Sequence, residues 1–413
     1  MRLLTFHRQQ LDPKLLGQKV VVTALLSIAG LTFSARAQTL TVLYAFTGGI
    51  DGGTPYAGVI RDGAGNLYGT TEAGGTSGCG GGGCGTVFKI DTNGKESVLY
   101  TFTGGADGGN PYYGSLLQDA KGNLYGTTLQ GGIAYGVLYK VTPAREETVV
   151  HNFPSSPEDG DSPVAGLIHD AQGNAYGTTE AGGTSSGCQG VGCGTVYKVD
   201  HTGKETVLYS FTGQPDGAVP VSSLILDKAG NLYGATQEGG TNGYGTVFKL
   251  DPNGQETILH NFAGYPSDGL SPSGGLILDG AGNLYGTTFL GGTTYQGIIF
   301  EIIKNGDESV LYNFAGGPSD GAFPTGNLLL DKQGNLYGIT TSGGTLENGV
   351  VFKFNRSGET VLHNFVFTTE GSTPRGGLIR DSAGNLYGTT SQGGPSQPAC
   401  DGLGCGTVFK LTP

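Results

Sequence analysis

A near-copy of Gly-Asn-Leu-Tyr-Gly-Thr-Thr occurs seven times in this chain, beginning at Gly65, Gly122, Gly173, Gly230, Gly282, Gly334 and Gly384. Successive copies are 50 to 57 residues apart, so residues from about 40 onward are one unit repeated. A period of that length, built from short strands, belongs to radial or stacked folds in which each unit covers the faces of its neighbours. Glycine is 80 of 413 residues, but it recurs at fixed places in each unit, as turns and bulges do in an all-β protein.

Four strand-like runs are visible in each unit. In the first they are residues 58–62, 66–71, 85–90 and 97–102. The last two runs are apolar on both pleat faces, as in Val87 beside Phe88 and Leu99 beside Tyr100. A sheet with one wet face would alternate, so these strands are expected to be covered on both sides. Small four-stranded sheets covered on both faces are the blades of a propeller. The chain begins with a lone copy of the fourth run (residues 40–46) and finishes with the third (406–411). The leading strand is therefore expected to complete the last blade. The fold class that follows is an all-β, seven-bladed β-propeller over residues 38–413, with four-stranded blades and no open edge. An open solenoid would want atypical capping repeats, and neither end has one.

Residues 1–37 do not share the repeat. Arg2, Arg8, Lys14 and Lys19 precede an apolar stretch at 20–33, and Ala35-Arg36-Ala37 offers a small-x-small cleavage site. The apolar run is about 14 residues where a membrane span needs roughly 20, so a secretory signal peptide is expected, with no membrane span in the mature chain. Without it the chain keeps 17 basic residues against 33 acidic, a net charge of −16. Such a surface argues against nucleic acid as a partner.

The two short turns of each unit, at Asp62-Gly-Ala-Gly-Asn66 and Asp91-Thr-Asn-Gly94 in the first, look structural. Asp62-Gly-Ala-Gly-Asn66, with counterparts at Asp119, Asp170, Asp227, Asp279, Asp331 and Asp381, reads as a hairpin whose carboxylate caps backbone N–H groups. The loop from each fourth strand to the next first strand carries Asp-Gly-x-x-Pro, placing Asp51, Asp107, Asp159, Asp216, Asp268 and Asp320 in a ring, with Glu370 in the seventh unit. An acidic ring near a central channel would hold a hard, calcium-like cation or hydrogen-bond sugar hydroxyls; the alternative is a turn, capped by Asp with φ fixed by Pro. Tyr56, Tyr112, Tyr113 and Phe323 lie beside these acids and are the candidates for stacking on sugar, with loop packing as the plainer account.

The loop between second and third strands breaks the symmetry. It has 7 or 8 residues in units two, four, five and six, and 13 to 15 in units one, three and seven. Each long loop contains a Cys-x-x-x-x-Cys: Cys79 with Cys84, Cys188 with Cys193, and Cys400 with Cys405. In an exported chain these read as three disulfides, and no histidine repeats beside them to suggest zinc. The histidines after the leader are His151, His169, His201, His260 and His363, and three of them occupy a fourth-strand position held elsewhere by Tyr44, Tyr100, Tyr209 and Tyr312. A slot that takes either ring is expected to be a packing position rather than a general base. Glu72, Glu180 and Glu238 follow second strands and read as solvated loop residues. No catalytic residue, metal ligand or cofactor is assigned.

The Gly-Asn-Leu-Tyr-Gly-Thr-Thr runs, the following Gly74-Gly75 and Gly131-Gly132, the Gly-Thr-Val-Phe-Lys strands and Val-Leu-Tyr-x-Phe together resemble the GloVer repeat family, the choice-of-anchor tandem repeat proteins of bacteria. There is looser similarity to NHL and kelch propellers. The resemblance implies an exported propeller and no particular reaction. Its members often end in a sorting anchor; this chain ends at Thr412-Pro413, so the expectation is a secreted or periplasmic product without a C-terminal anchor. The function expected is that of a monomeric, non-catalytic binding or scaffold propeller engaging a glycan or extracellular protein through its acidic loop face. The alternative is a propeller lyase or hydrolase acting on a polysaccharide or lactone with a channel-bound cation.

Overall fold

The repeated heptapeptide is one device with three parts. Asp62 accepts the backbone N–H groups of Ala64 and Asn66 on Oδ1 at 2.9 and 2.8 Å, and the Asn66 side chain and Tyr68 hydroxyl on Oδ2 at 2.7 and 3.0 Å. Burial pushes the Asp62 carboxyl up, but the hydrogen bonds from the Asn66 side chain and backbone outweigh it and hold the group below its ordinary value. The glycine after the tyrosine is required by space: a Cβ on Gly69 would lie 2.6 Å from the ring of Phe88, and one on Gly286 would lie 2.5 Å from Phe300. Asn closes the hairpin, Tyr ties the strand to it, and Gly seats the aromatic ring of the next strand.

The computed structural model describes residues 38–75, 78–154, 159–400 and 402–412. The leader expected over residues 1–37 lies outside them. Residues 38–413 form one unit, in which the strands of blade one run Ile60–Arg61, Leu67–Thr71, Thr86–Ile90 and Glu96–Thr101, each antiparallel to the next. Six further sheets repeat the pattern, giving seven blades. The seventh is completed as the phase of the repeat requires: Thr39–Ala45 pairs antiparallel with Thr407–Thr412, from Thr39 opposite Thr412 to Ala45 opposite Thr407.

Side chains close the ring at every boundary. The phenylalanine after each fourth strand packs edge-on against the third-strand aromatic of the next blade, as Phe102 does on Tyr139 with centroids 4.9 Å apart. Phe365 on Phe409 at 5.1 Å and Phe46 on Phe88 at 5.0 Å carry the same contact into and out of the seventh blade. Such pairs contribute about 0.5–1.5 kcal/mol beyond the area they bury.

The first strand departs from expectation. The sequence pattern suggests residues 58–62 in blade one, yet only Ile60 and Arg61 pair there. In blade five, Gly269–Pro272 pairs with the upper half of the second strand and Ile277–Leu278 with its lower end, leaving residues 273–276 unpaired. The cause is crowding between inner segments. A Cβ on Gly58 would sit 2.6 Å from the carbonyl oxygen of Gly377, and one on Gly274 would sit 2.3 Å from that of Gly326. Adjacent backbones meet there, and the ladder breaks where they meet. Blade six alone has its first strand assigned as one run, Gly321–Leu330, with a register shift between Thr325 and Leu329.

Above each break, the residue before the loop proline adopts left-handed φ: 57° at Thr54, 58° at Val219 and 58° at Phe323, with Asn110, Ser162, Ser271 and Thr373 alike. For a residue other than glycine this costs roughly 1–2 kcal/mol. The conformation turns the N–H toward the preceding blade and the carbonyl toward its own. Val219 donates to the Cys193 carbonyl at 3.0 Å, and its own carbonyl accepts from Gln237 at 3.0 Å. Thr54 does the same between Cys405 and Glu72, at 2.8 and 3.1 Å. Two hydrogen bonds, one to the preceding blade and one within its own, thus offset the local strain.

Candidate functional site at the channel mouth

The acids of the ring turn to the fourth strands that precede them. The Asp51 carboxylate is buried and accepts from the Tyr44 hydroxyl at 2.9 Å and the Thr47 N–H at 2.8 Å. Tyr100, Tyr209 and Tyr312 donate in the same way to Asp107, Asp216 and Asp320 at 3.0, 2.8 and 3.0 Å. Where histidine replaces tyrosine, the partner contacts are His151 to Asp159 at 3.3 Å, His260 to Asp268 at 3.0 Å and His363 to Glu370 at 2.8 Å. All seven acids therefore brace the loop against the fourth strand, and none lines the central cavity. The signal for this arrangement was in the sequence: each acid follows a tyrosine or histidine by seven or eight residues.

The three disulfides join the pairs expected, with Cα–Cα distances of 5.2, 5.3 and 5.5 Å. Each lies beneath the loop that leads into the next blade. A Cβ on Gly104 would be 2.6 Å from Cys79 Sγ, and one on Gly48 would be 2.6 Å from Cys400 Sγ. The long loops of blades one, three and seven are thereby fixed to the loops that carry the acids.

At the axis lies a cavity of about 240 Å³ whose walls come from blades two to seven. Its polar lining is uncharged except for Arg375: Ser115, Ser223, Ser273, Gln237 and Asn327 present hydroxyls and amides. Tyr113 forms part of the wall and packs on Tyr112, ring centroids 4.0 Å apart, while Tyr112 packs on Tyr56 at 4.7 Å. The Arg375 guanidinium lies 5.1 Å from the centre of the Tyr56 ring, and its Nε is buried with no hydrogen-bond partner among the described residues. Phe289 lines the far side with Phe323 stacked behind it at 5.2 Å. The four aromatics read from the sequence are thus gathered here, Tyr113 directly and the others in contact with lining residues.

Arg375 was missed. It stands immediately after the loop proline, where the other blades place Tyr56, Tyr112, Val164, Val221, Ser273 and Thr325. That column departs most from the repeat, and Arg375 is its charged member. Burial raises the Glu72 carboxyl, with the nearby Arg375 charge pulling it back. Burial likewise raises Glu180, reinforced by Asp161 and Glu238. No carboxylate or imidazole is among the residues lining the cavity, so its chemistry is stacking, hydrogen bonding and one fixed positive charge.

These features define a closed seven-bladed β-propeller with an aromatic and polar channel mouth. Residues 21–240 and 221–413 each match the Gloeobacter/Verrucomicrobia repeat, and the chain belongs to that family. No curated protein matches the sequence. Among solved structures, it is similar to a protein described as the extracellular domain of a hybrid two-component system of B. thetaiotaomicron, with 15% identity and a TM-score of 0.57, over 91% of this chain and 41% of that one. A second such extracellular domain from the same organism gives 12% identity and a TM-score of 0.55, over 91% and 39%. The chain spans about two fifths of the length of these two proteins. A gluconolactonase of Xanthomonas campestris aligns at 15% identity and a TM-score of 0.44, over 78% of this chain and 90% of that one.

Proposed function

We propose that this is an exported, non-catalytic binding propeller whose channel mouth takes a glycan. The observation that carries the reading is the juxtaposition of stacked Tyr56, Tyr112 and Tyr113 with the unpaired Arg375 Nε and a wall of hydroxyls and amides. Aromatic faces suit the C–H faces of a sugar ring, and the hydroxyls and amides suit its oxygens. The lone cation favours a sugar that bears a carboxylate over a neutral one. The cavity accommodates about one ring, so a longer chain would extend over the loop face. Asp51, Asp107, Asp159, Asp216, Asp268, Asp320 and Glu370 enter this reading as braces of the loops rather than as contacts. Three disulfides support export to an oxidising compartment, with the leader over residues 1–37 as the route.

A glycan array carrying neutral and uronate-containing chains tests the reading, followed by calorimetry on any hit. Tyr113→Ala and Arg375→Ala are expected to weaken binding at least about tenfold with the β-sheet circular dichroism intact. Failure to retain any glycan would sink the proposal. Release of new reducing ends from a bound chain would replace it with the lyase or hydrolase alternative.

A further inference from the structure

Each boundary between blades brings three positions together: the tyrosine or histidine near the end of one fourth strand, the acid in the loop that follows, and the residue four before the tyrosine or histidine of the next blade's fourth strand. That third position is Glu96, Glu147, Glu205, Glu256, Glu308 or Glu359, and at the closing boundary it is Leu40. In all six glutamates Oε1 is buried and has no hydrogen-bond partner among the described residues. Where the neighbour is tyrosine, its hydroxyl donates to the loop aspartate and offers no nitrogen ligand. Two boundaries differ. His151, Asp159 and Glu205, and likewise His260, Asp268 and Glu308, each offer one ligand atom, and within each set these atoms lie within 4.8 Å of one another.

We propose that each of these two boundaries, between blades two and three and between blades four and five, binds a divalent transition cation such as Zn²⁺. An imidazole nitrogen with two carboxylate oxygens is a donor set such ions take, whereas calcium asks for six to eight oxygens. The His Nε2 to Asp Oδ2 distances of 3.3 and 3.0 Å are close to the roughly 3.3 Å edge of a tetrahedron with bonds of about 2.0–2.1 Å. His151 Nε2 is itself buried without a hydrogen-bond partner, so at this boundary the nitrogen and the glutamate oxygen are both unsatisfied in the same place.

The aspartates are already oriented. Asp268 receives the N–H groups of Ala263 and Gly269 at 2.7 and 2.6 Å, and Asp159 that of Gly160 at 2.7 Å. Such second contacts fix a ligand before the ion arrives. Side-chain exposures of 9–18% at the His and Asp positions leave the sites sheltered yet reachable from solvent. Because the glutamate comes from the next blade, a bound ion would cross-link two blades. The boundary at His363 has the imidazole and an acid, but Leu40 in place of the glutamate makes it a two-donor site.

The purified full-length protein, stripped with a chelator, loaded with Zn²⁺ and desalted, is assayed by inductively coupled plasma mass spectrometry. Two equivalents per chain are expected, one for each of the two sites. Glu205→Gln and Glu308→Gln should each retain one, and the double variant none. Glu256→Gln, at a tyrosine boundary, should keep both. Tyr209→His completes the donor set between blades three and four and should add a third, a gain that no loss of folding can mimic. The proposal is overturned if the native protein retains no zinc, or if Glu256→Gln loses as much as Glu205→Gln.

Discussion

Tyr139 and Tyr197 occupy the third-strand position that is phenylalanine in the other five blades, and both rings are fully buried. Neither hydroxyl has a hydrogen-bond partner among the described residues, and each oxygen points at the glycine of the facing second strand. An unsatisfied buried hydroxyl costs about 1–3 kcal/mol. Tyr139→Phe and Tyr197→Phe are therefore expected to stabilise the protein by about 1 kcal/mol each, read as a higher urea midpoint with an unchanged slope. A lower midpoint for both would show that the hydroxyls are satisfied after all. This is a residue-scale effect, since ring stacking at the boundary stays intact. The left-handed Val219 belongs to the same scale but has a different logic, because its strain is what lets it bond to two blades.

At the scale of the element, the sequence carried the second, third and fourth strands plainly. Their residues face neighbours inside the unit, so the pattern of Phe88, Val87 and Leu99 speaks directly. The split first strand was illegible because its geometry is set by glycines of the adjacent blade, as at Gly58 and Gly377. Asp51 was open to two readings, a ring near the channel or a turn cap, because repetition shows that a position matters but not which way it points; Tyr44, seven residues earlier, carried the signal for the contact it makes. Arg375 was not legible because it departs from the repeat, and the repeat pattern carries only what the blades share. The disulfides were legible from spacing and export alone. Removing Cys79–Cys84 by double serine substitution should cost about 2 kcal/mol on the loop-entropy estimate. The loss should be local, seen as faster hydrogen exchange in residues 78–85 and 103–109, with blade five unchanged. Uniform loosening across all blades would contradict that view.

For the whole molecule, the belt of glutamates makes stability depend on pH. Burial and, second, a neighbouring aspartate raise Glu96, Glu147, Glu256 and Glu359 to about 7. The folded state thus holds protons that the unfolded chain releases above its ordinary carboxyl range. Their contribution is fully present at low pH and is lost as pH climbs toward about 7. The hairpin aspartates, Asp62 and its counterparts, act oppositely: held below their usual value, they lose their contribution only under stronger acid. Unfolding free energy should therefore peak on the acidic side and be higher near about pH 5 than near about pH 8. Glu96→Gln with Glu359→Gln should flatten that difference. Urea titrations across the range decide it, and a curve that rises toward pH 8 would refute the assignment.

The pairing of Thr39–Ala45 with Thr407–Thr412 has a consequence in time. The outermost strand of this sheet precedes the other six blades along the chain and its neighbour follows them, so the toroid cannot be sealed until residues 407–412 have been made. Until then residues 39–45 lack the strand they pair with. Whatever keeps that segment from sticking elsewhere governs how much protein matures.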